Sequence, residues 1–382
     1  MATAQSIYLD YAAATPVDPR VLEAMQPYFS EQFYNPSATY RSAERVAAAL
    51  QAARASVAHW LGTRASEIVF TAGGSEANNL AIHGIMRRFP DAHMVVSAVE
   101  HESVLAAAKH YAYKEATVLA DGMVDLQALE QSIDGQTVLV SIMYANNEVG
   151  TIEPLRQIGQ LIQAIRAKRQ KQGNTLPLYL HSDACQAAAY LDLHVARLGV
   201  DLLTINGGKI YGPKQSGALY VRAGLVLEPI VDGGGQEYGL RSGTENVAAC
   251  IGLAKALELV QTDRHTETAR LQTLQQQFLK AIEQQLSPVI INGSRTKRLP
   301  NNVHLTLPGQ DNERLLIALD ERGIMAAAGS ACSASNEEPS HVLKAMGISE
   351  ADAQSSLRFT FGHGTSAAYL THTVDSLAQL LA

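Results

Sequence analysis

The sequence predicts an α/β fold: a mostly parallel central sheet with helices on both faces, followed by a smaller α+β domain. Three observations predict it. Short apolar, partly β-branched runs recur along the first two-thirds of the chain, helical periodicity fills the intervals between them, and polar residues cluster directly after the runs. Strands buried on both faces read as near-continuous apolar runs, and strands alternating with helices form a parallel sheet.

The elements follow in chain order. In "RSAERVAAALQAARASVAHWL", Val46, Leu50, Ala53, Val57, Trp60 and Leu61 recur at three- and four-residue spacings, which marks one face of a helix. "EIVFTAGGSEANNLAIHGIM" reads as strand, glycine turn and helix, and "HMVVSAVEHESV" adds a second strand. "TVLVSIMYANNEVG", "LPLYLHSDACQ" and "DLLTINGGK" repeat the pattern, and "NVAACIGLAKALELV" reads as a packed helix. The character changes near residues 260–265. Beyond them Leu271, Leu274, Phe278, Ile282 and Leu286 line one face of a long amphipathic helix, "NNVHLTL" and "SLRFTFG" read as strands, and "NERLLIALDERG" and the C-terminus read as helices.

Composition narrows the function. The chain has 382 residues, 47% hydrophobic and 18% charged, with a formal net charge of -7. No basic stripe suggests a nucleic-acid partner. The start, "MATAQSIYLDY", lacks the pattern of a signal peptide, and no run approaches the ~18 apolar residues of a membrane span. These features predict a soluble cytoplasmic protein. Cys185, Cys250 and Cys332 are too scattered for a disulfide framework or a CxxC metal site, so no metal is expected.

Ligands of open α/β sheets sit beyond the carboxyl ends of the strands, where the polar residues gather here. Gly73, Gly74 and Ser75 follow a strand and open a helix, either as a phosphate turn or as a plain glycine turn with a serine cap. His101 stands at the next strand end, as a ring-stacking or proton-shuttling imidazole or as a surface histidine. Asn147 offers an amide, or is a turn residue. Asp183 ends a buried strand and needs a partner, either a protonated pyridine nitrogen or a structural ion pair, and Gln186 lies three residues on. Lys209 ends the strand "DLLTI" through two glycines. Phosphate turn, imidazole, carboxylate and lysine together fit one cofactor, pyridoxal 5′-phosphate, with Lys209 as the Schiff-base lysine.

At these residues the sequence resembles the class V aminotransferase-like enzymes, and specifically the cysteine desulfurases of iron–sulfur cluster assembly with a long catalytic loop. The resemblance is carried by "YLDYAAATPVDPRV", "YNPSATY", "EIVFTAGGSEANNLAI", "EHESVL", "SIMYANNEVGTIEP", "DACQAA", "GGKIYGPKQSGALYV", "GGGQEYGLRSGTENV", "AAGSACSASNEEPSHVL" and "SSLRFTFG", which span residue 8 to about 364. It implies the fold-type I architecture, with a large cofactor-binding domain over 15–262, a small domain of 1–14 and 263–382, and a homodimer. It implies that Gly74 and Ser75 hold the cofactor phosphate, helped by Thr244 reaching into the neighbouring subunit. His101 would stack on the ring, Asp183 pair with its nitrogen, and Asn147 and Gln186 bind its hydroxyl side. Arg358, helped by Asn35, would clamp the substrate carboxylate. Cys332 would attack the sulfur of L-cysteine, leaving alanine and a persulfide destined for an iron–sulfur scaffold or another sulfur acceptor.

Two positions depart from the family's usual pattern. Gly208 stands where a histidine precedes the lysine, and Asn206 where a serine touches the phosphate, a contact its amide is placed to replace. Tyr40 stands where a histidine follows "NPS". Two alternatives stay open: a selenocysteine lyase or other lyase using the same cofactor, and a low-activity, cofactor-binding sulfur-delivery partner. Cys332 favours the desulfurase over the first, and Gly208 is the feature that favours the second.

Overall fold

The computed structural model describes residues 6–329 and 339–382. Twelve strands occur among them: β1 Ile7–Tyr8, β2 Ile68–Thr71, β3 His93–Ser97, β4 Tyr113–Ala116, β5 Thr137–Ser141, β6 Tyr179–Asp183, β7 Leu202–Asn206, β8 Gly217–Val221, β9 Ile290–Asn292, β10 Asn302–Thr306, β11 Ile324–Met325 and β12 Ser356–Thr360.

Seven of them form the main sheet in the order β2-β8-β7-β6-β5-β3-β4. Pairings from β4 through β3, β5 and β6 to β7 are parallel, while β8 runs antiparallel to both β7 and β2. The expected mostly parallel sheet is therefore present, with β8 the one reversed strand. Successive side chains of a strand point to opposite faces. Accordingly Val95, Val140 and Leu203 join one buried cluster, and their neighbours Met94, Leu139 and Leu202 join another. The continuous apolar runs are thus explained by helices covering both faces.

The first long helix spans Arg41–Leu61 and stops at Gly62, whose φ of 66° is left-handed. A Cβ there would also run into the His194 ring, so both backbone and packing require glycine. The two expected helices on either side of residues 260–265 are one helix, Val247–Gln285, 39 residues long. It packs against Arg41–Leu61 and against the C-terminal helix Ala367–Leu381. The polar stretch "QTDRHTETAR" inside it reads as a break in sequence but is the half-exposed middle of the helix.

The smaller sheet is antiparallel, β12-β10-β9, and β1 pairs in parallel with β11. An isolated bridge from Asp10 to Thr360 ties the N-terminal segment to β12. This draws Asp10–Ala14 up to the carboxyl edge of the main sheet, where the site is built.

Candidate active site

Each chemical residue is delivered by the end of a strand. After β2 the chain passes through Gly73, at a φ of 142°, into the helix Gly74–Met86. A Cβ on Gly74 would lie 2.7 Å from Cys185 Sγ, so only glycine allows this turn to touch the next loop. After β3, His101 caps the helix Glu102–Ala108. Its Nδ1 accepts from Ser103 N at 3.1 Å and pairs with Ser103 Oγ at 2.9 Å. An Nδ1 that accepts leaves the proton of the neutral ring on Nε2.

After β5, Asn146 shapes the turn. Its Oδ1 accepts from the N–H groups of Glu148 and Val149, and its Nδ2 donates to Val99 O. Asn147 is thereby set at the cleft. Asp183 ends β6, where Oδ1 accepts from Cys185 N at 2.8 Å and Oδ2 from Asn78 Nδ2 at 2.7 Å. Asn78 Nδ2 also lies 2.9 Å from Ser103 Oγ. A continuous chain of hydrogen bonds thus runs Asp183–Asn78–Ser103–His101.

Lys209 follows β7 in the short turn Gly207–Lys209, which Asn206 closes by accepting Gly208 N at 3.0 Å. The lysine Nζ donates to Ala12 O at 2.7 Å and Ala13 O at 2.6 Å, and Gln186 Nε2 donates to Ala12 O at 3.0 Å. Arg358, on β12, is 1% exposed. It reaches Asp10 Oδ1 at 2.7 Å and Asn147 O at 3.0 Å, while its Nε has no hydrogen-bond partner among the described residues.

Gly74, Ser75, His101, Asn147, Asp183, Gln186, Asn206, Lys209 and Arg358 all line one cleft, together with Cys185 and Ala12–Ala13. Two expected residues do not. Asn35 is exposed and its Oδ1 accepts from Ser37 N. Thr244 is also exposed and lies away from this cleft in its own chain. Cys332 lies outside the described residues. On the described sides of that segment, Ala327 and Arg358 exchange backbone hydrogen bonds, and Ser340 Oγ donates to Glu148 Oε2 at 2.6 Å. Among the described residues, no group of three or more His, Cys, Asp or Glu is arranged to hold a metal, and no helix is long and apolar enough to cross a membrane.

The surroundings fix several protonation states. Burial and the nearby Asp183 carboxylate push the Cys185 thiol well above its ordinary value, so it stays protonated. The same two causes push the Glu100 carboxyl well up, and its Oε1 accepts Met143 N at 2.5 Å. Burial holds His181 down at about 4, between Ser141 Oγ and Thr204 Oγ1. Burial thus disfavours the charged form of all three of these neighbours of Asp183.

Known proteins match the chain end to end. The model of the aminotransferase class-V family matches residues 7–370. The chain is 40% identical to the cysteine desulfurase IscS of Dictyoglomus turgidum, over 99% of this chain and 95% of that one. The chain belongs to the cysteine desulfurase family of class-V aminotransferases. A second relative in that family, cysteine desulfurase IscS 1 of Archaeoglobus fulgidus, is 39% identical over 98% of this chain and 95% of its own. Among solved structures, a NifS-like protein superposes with a TM-score of 0.90 at 29% identity, covering 99% of both chains. A NifS-like protein from Rickettsia africae gives 0.87 at 31% identity, again over 99% of both. The expected fold-type I architecture is therefore present.

Cysteine desulfurases are pyridoxal-phosphate enzymes, and the cleft of this family member fits that group chemically. It offers a lysine amine, a buried carboxylate at a strand end and a glycine turn at a helix N-terminus, on one continuous wall. Sequence reading missed Asn78, Ser103 and the backbone carbonyls of Ala12 and Ala13. Asn78 carries a faint signal, a polar residue on the apolar side of its helix. The carbonyls carry none, because a main-chain group is the same at every residue.

Proposed function

We propose that this chain is an L-cysteine desulfurase that takes sulfur from L-cysteine, releases L-alanine and carries the sulfur as a persulfide on Cys332. The observation that carries the reading is the placement of Lys209 Nζ, the Asp183 carboxylate and the Arg358 guanidinium along one cleft. Pyridoxal phosphate bound there supplies a sink for the electrons left at the substrate α-carbon.

The residues divide the remaining work. Gly74 and Ser75 offer the phosphate an amide and a hydroxyl, and Thr244 of the partner subunit completes that cradle in a homodimer. Asn206 takes the place of a serine beside it. His101 stacks on the ring, with its proton held on Nε2 by the Ser103 contacts. Asp183 holds a proton at the ring nitrogen, and Asn147 and Gln186 face the ring hydroxyl. Arg358 binds the substrate carboxylate through its guanidinium, helped by Asn35. Lys209 removes the α-proton and later returns one to carbon.

Cys332 acts as a thiolate. Its sulfur bonds to the substrate sulfur as the carbon–sulfur bond breaks, and the carbon keeps that electron pair and gains a proton. L-cysteine and one thiol thus become L-alanine and one persulfide, with no external oxidant. The acceptor is an iron–sulfur scaffold or another sulfur-accepting protein, and the enzyme works in the cytoplasm. The division into a large domain of 15–262 and a small one of 1–14 and 263–382 belongs to the same reading.

Sulfide and alanine release from L-cysteine, with reductant present, tests the reading. Equal amounts from the native protein, and neither from Lys209→Ala or Cys332→Ala, are expected. A protein that binds pyridoxal phosphate yet releases neither product would favour the sulfur-delivery alternative, for which Gly208 is the specific observation. Turnover of L-selenocysteine alone would favour the selenocysteine lyase.

A further inference from the structure

A second cavity opens off the first and shares with it Ala13, Gly74, Ser75, Asn206 and Lys209. Its floor is the glycine turn at the start of the helix Gly74–Met86. Two cationic side chains line it, Lys209 and Lys214. The one carboxylate on its wall, Glu76, is neutralised: Arg241 Nε donates to it at 2.9 Å and Ala72 N at 3.1 Å.

Lys214 is differently placed. Its Nζ donates to Thr15 O at 2.8 Å, and among the described residues no carboxylate lies within ion-pair distance. An ammonium has three donors, so two remain for a ligand. Its stem crosses the bare face of Gly208: a Cβ at 208 would meet Lys214 Cα and Cγ at 3.7 Å and Asn206 Oδ1 at 3.5 Å. Those are ordinary contacts and the Gly208 backbone is not left-handed, so neither packing nor conformation demands glycine there. What glycine achieves is to leave Lys214 uncovered toward the cavity. The next residue, Gln215, also lines the cavity and has a φ of 54°, a strained conformation for a residue with a Cβ. That kink turns the chain at Lys214 back into β8.

We propose that Lys214 is the cation that binds the cofactor phosphate in this chain, through the opening left by Gly208. The inference rests on the cofactor reading above and adds a residue to it. A charged hydrogen bond of this kind changes affinity about ten- to hundredfold.

The test is titration of the cofactor-stripped protein with pyridoxal 5′-phosphate and, separately, with pyridoxal, following the absorbance of the bound ligand. Lys214→Gln is expected to weaken pyridoxal phosphate binding by about tenfold or more and to leave pyridoxal binding unchanged. Lys214→Arg should keep native affinity, and Gly208→His added to Lys214→Gln should recover part of the loss. Native pyridoxal phosphate affinity in Lys214→Gln, or an equal loss for both ligands, overturns the proposal while the cofactor reading stands. Failure of the native protein to take up pyridoxal phosphate overturns both.

Discussion

Asn78 joins the two polar poles of the cleft: its Nδ2 donates to Asp183 Oδ2 at 2.7 Å and lies 2.9 Å from Ser103 Oγ, which in turn meets His101 Nδ1. Asn78 is fully buried and Asp183 is 6% exposed, so neither finds water as a substitute. Removing one partner of a buried hydrogen bond to a charged group costs about 1–3 kcal/mol. Asn78→Ala is predicted to lose about that much stability in chemical denaturation and to shift the absorbance of the bound cofactor. Asn78→Asp, which sets a second carboxylate against Asp183, should do worse on both counts.

Arg358 is a buried guanidinium held on one edge by Asp10 and by the Asn147 carbonyl. Lysine cannot reproduce that fork. Arg358→Lys is predicted to raise KM for L-cysteine about ten- to hundredfold, with a smaller fall in kcat. Steady-state kinetics decide it; a change confined to kcat would remove Arg358 from substrate binding.

Arg54 and Glu237 form a buried ion pair, both nearly inaccessible, with Nη1–Oε2 at 2.6 Å and Nη2–Oε1 at 2.7 Å. Glu237 also accepts Phe70 N from β2, and Arg54 donates to Ile68 O. The pair therefore fixes the segment leading to Thr244 against the strand that leads to Ser75. Glu237→Gln or Arg54→Met is predicted to cost about 3–5 kcal/mol in unfolding free energy. The double variant should cost less than the sum of the two.

Glu153 is buried, and burial pushes its carboxyl up from 4.5 to about 8. Between those values the folded chain holds a proton that the unfolded chain has released. Stability is therefore full below pH 4.5 and declines as pH rises to about 8, by on the order of 5 kcal/mol from this group alone. Glu153→Gln cannot titrate. Its stability relative to the native protein should rise steadily over that window, measured by denaturation at several pH values; a pH-independent difference would contradict the assignment.

The sheet was legible because its strands are buried on both faces, which writes runs such as "TVLVS" without polar interruption. Lys209, Asp183, His101 and Asn147 were legible because each follows such a run. The long helix Val247–Gln285 was not, since its middle touches solvent on most sides and its composition resembles a linker. β8 was not singled out as a strand either: "GALYV" follows the lysine turn closely, and an antiparallel return is invisible to a reading that looks for strand–helix alternation. Asn78 and Ser103 escaped because their roles come from partners far away in sequence, Asp183 among them.

The measurement that most directly tests the desulfurase reading locates the sulfur. The protein is mixed with L-cysteine without reductant and quenched, alanine is counted, and each cysteine peptide is weighed. One added sulfur atom on Cys332 for each alanine formed, and none in Lys209→Ala, is the predicted result, with Cys185 unmodified because its thiol stays protonated. Alanine without protein-bound sulfur, or sulfur on Cys185 instead, would contradict it.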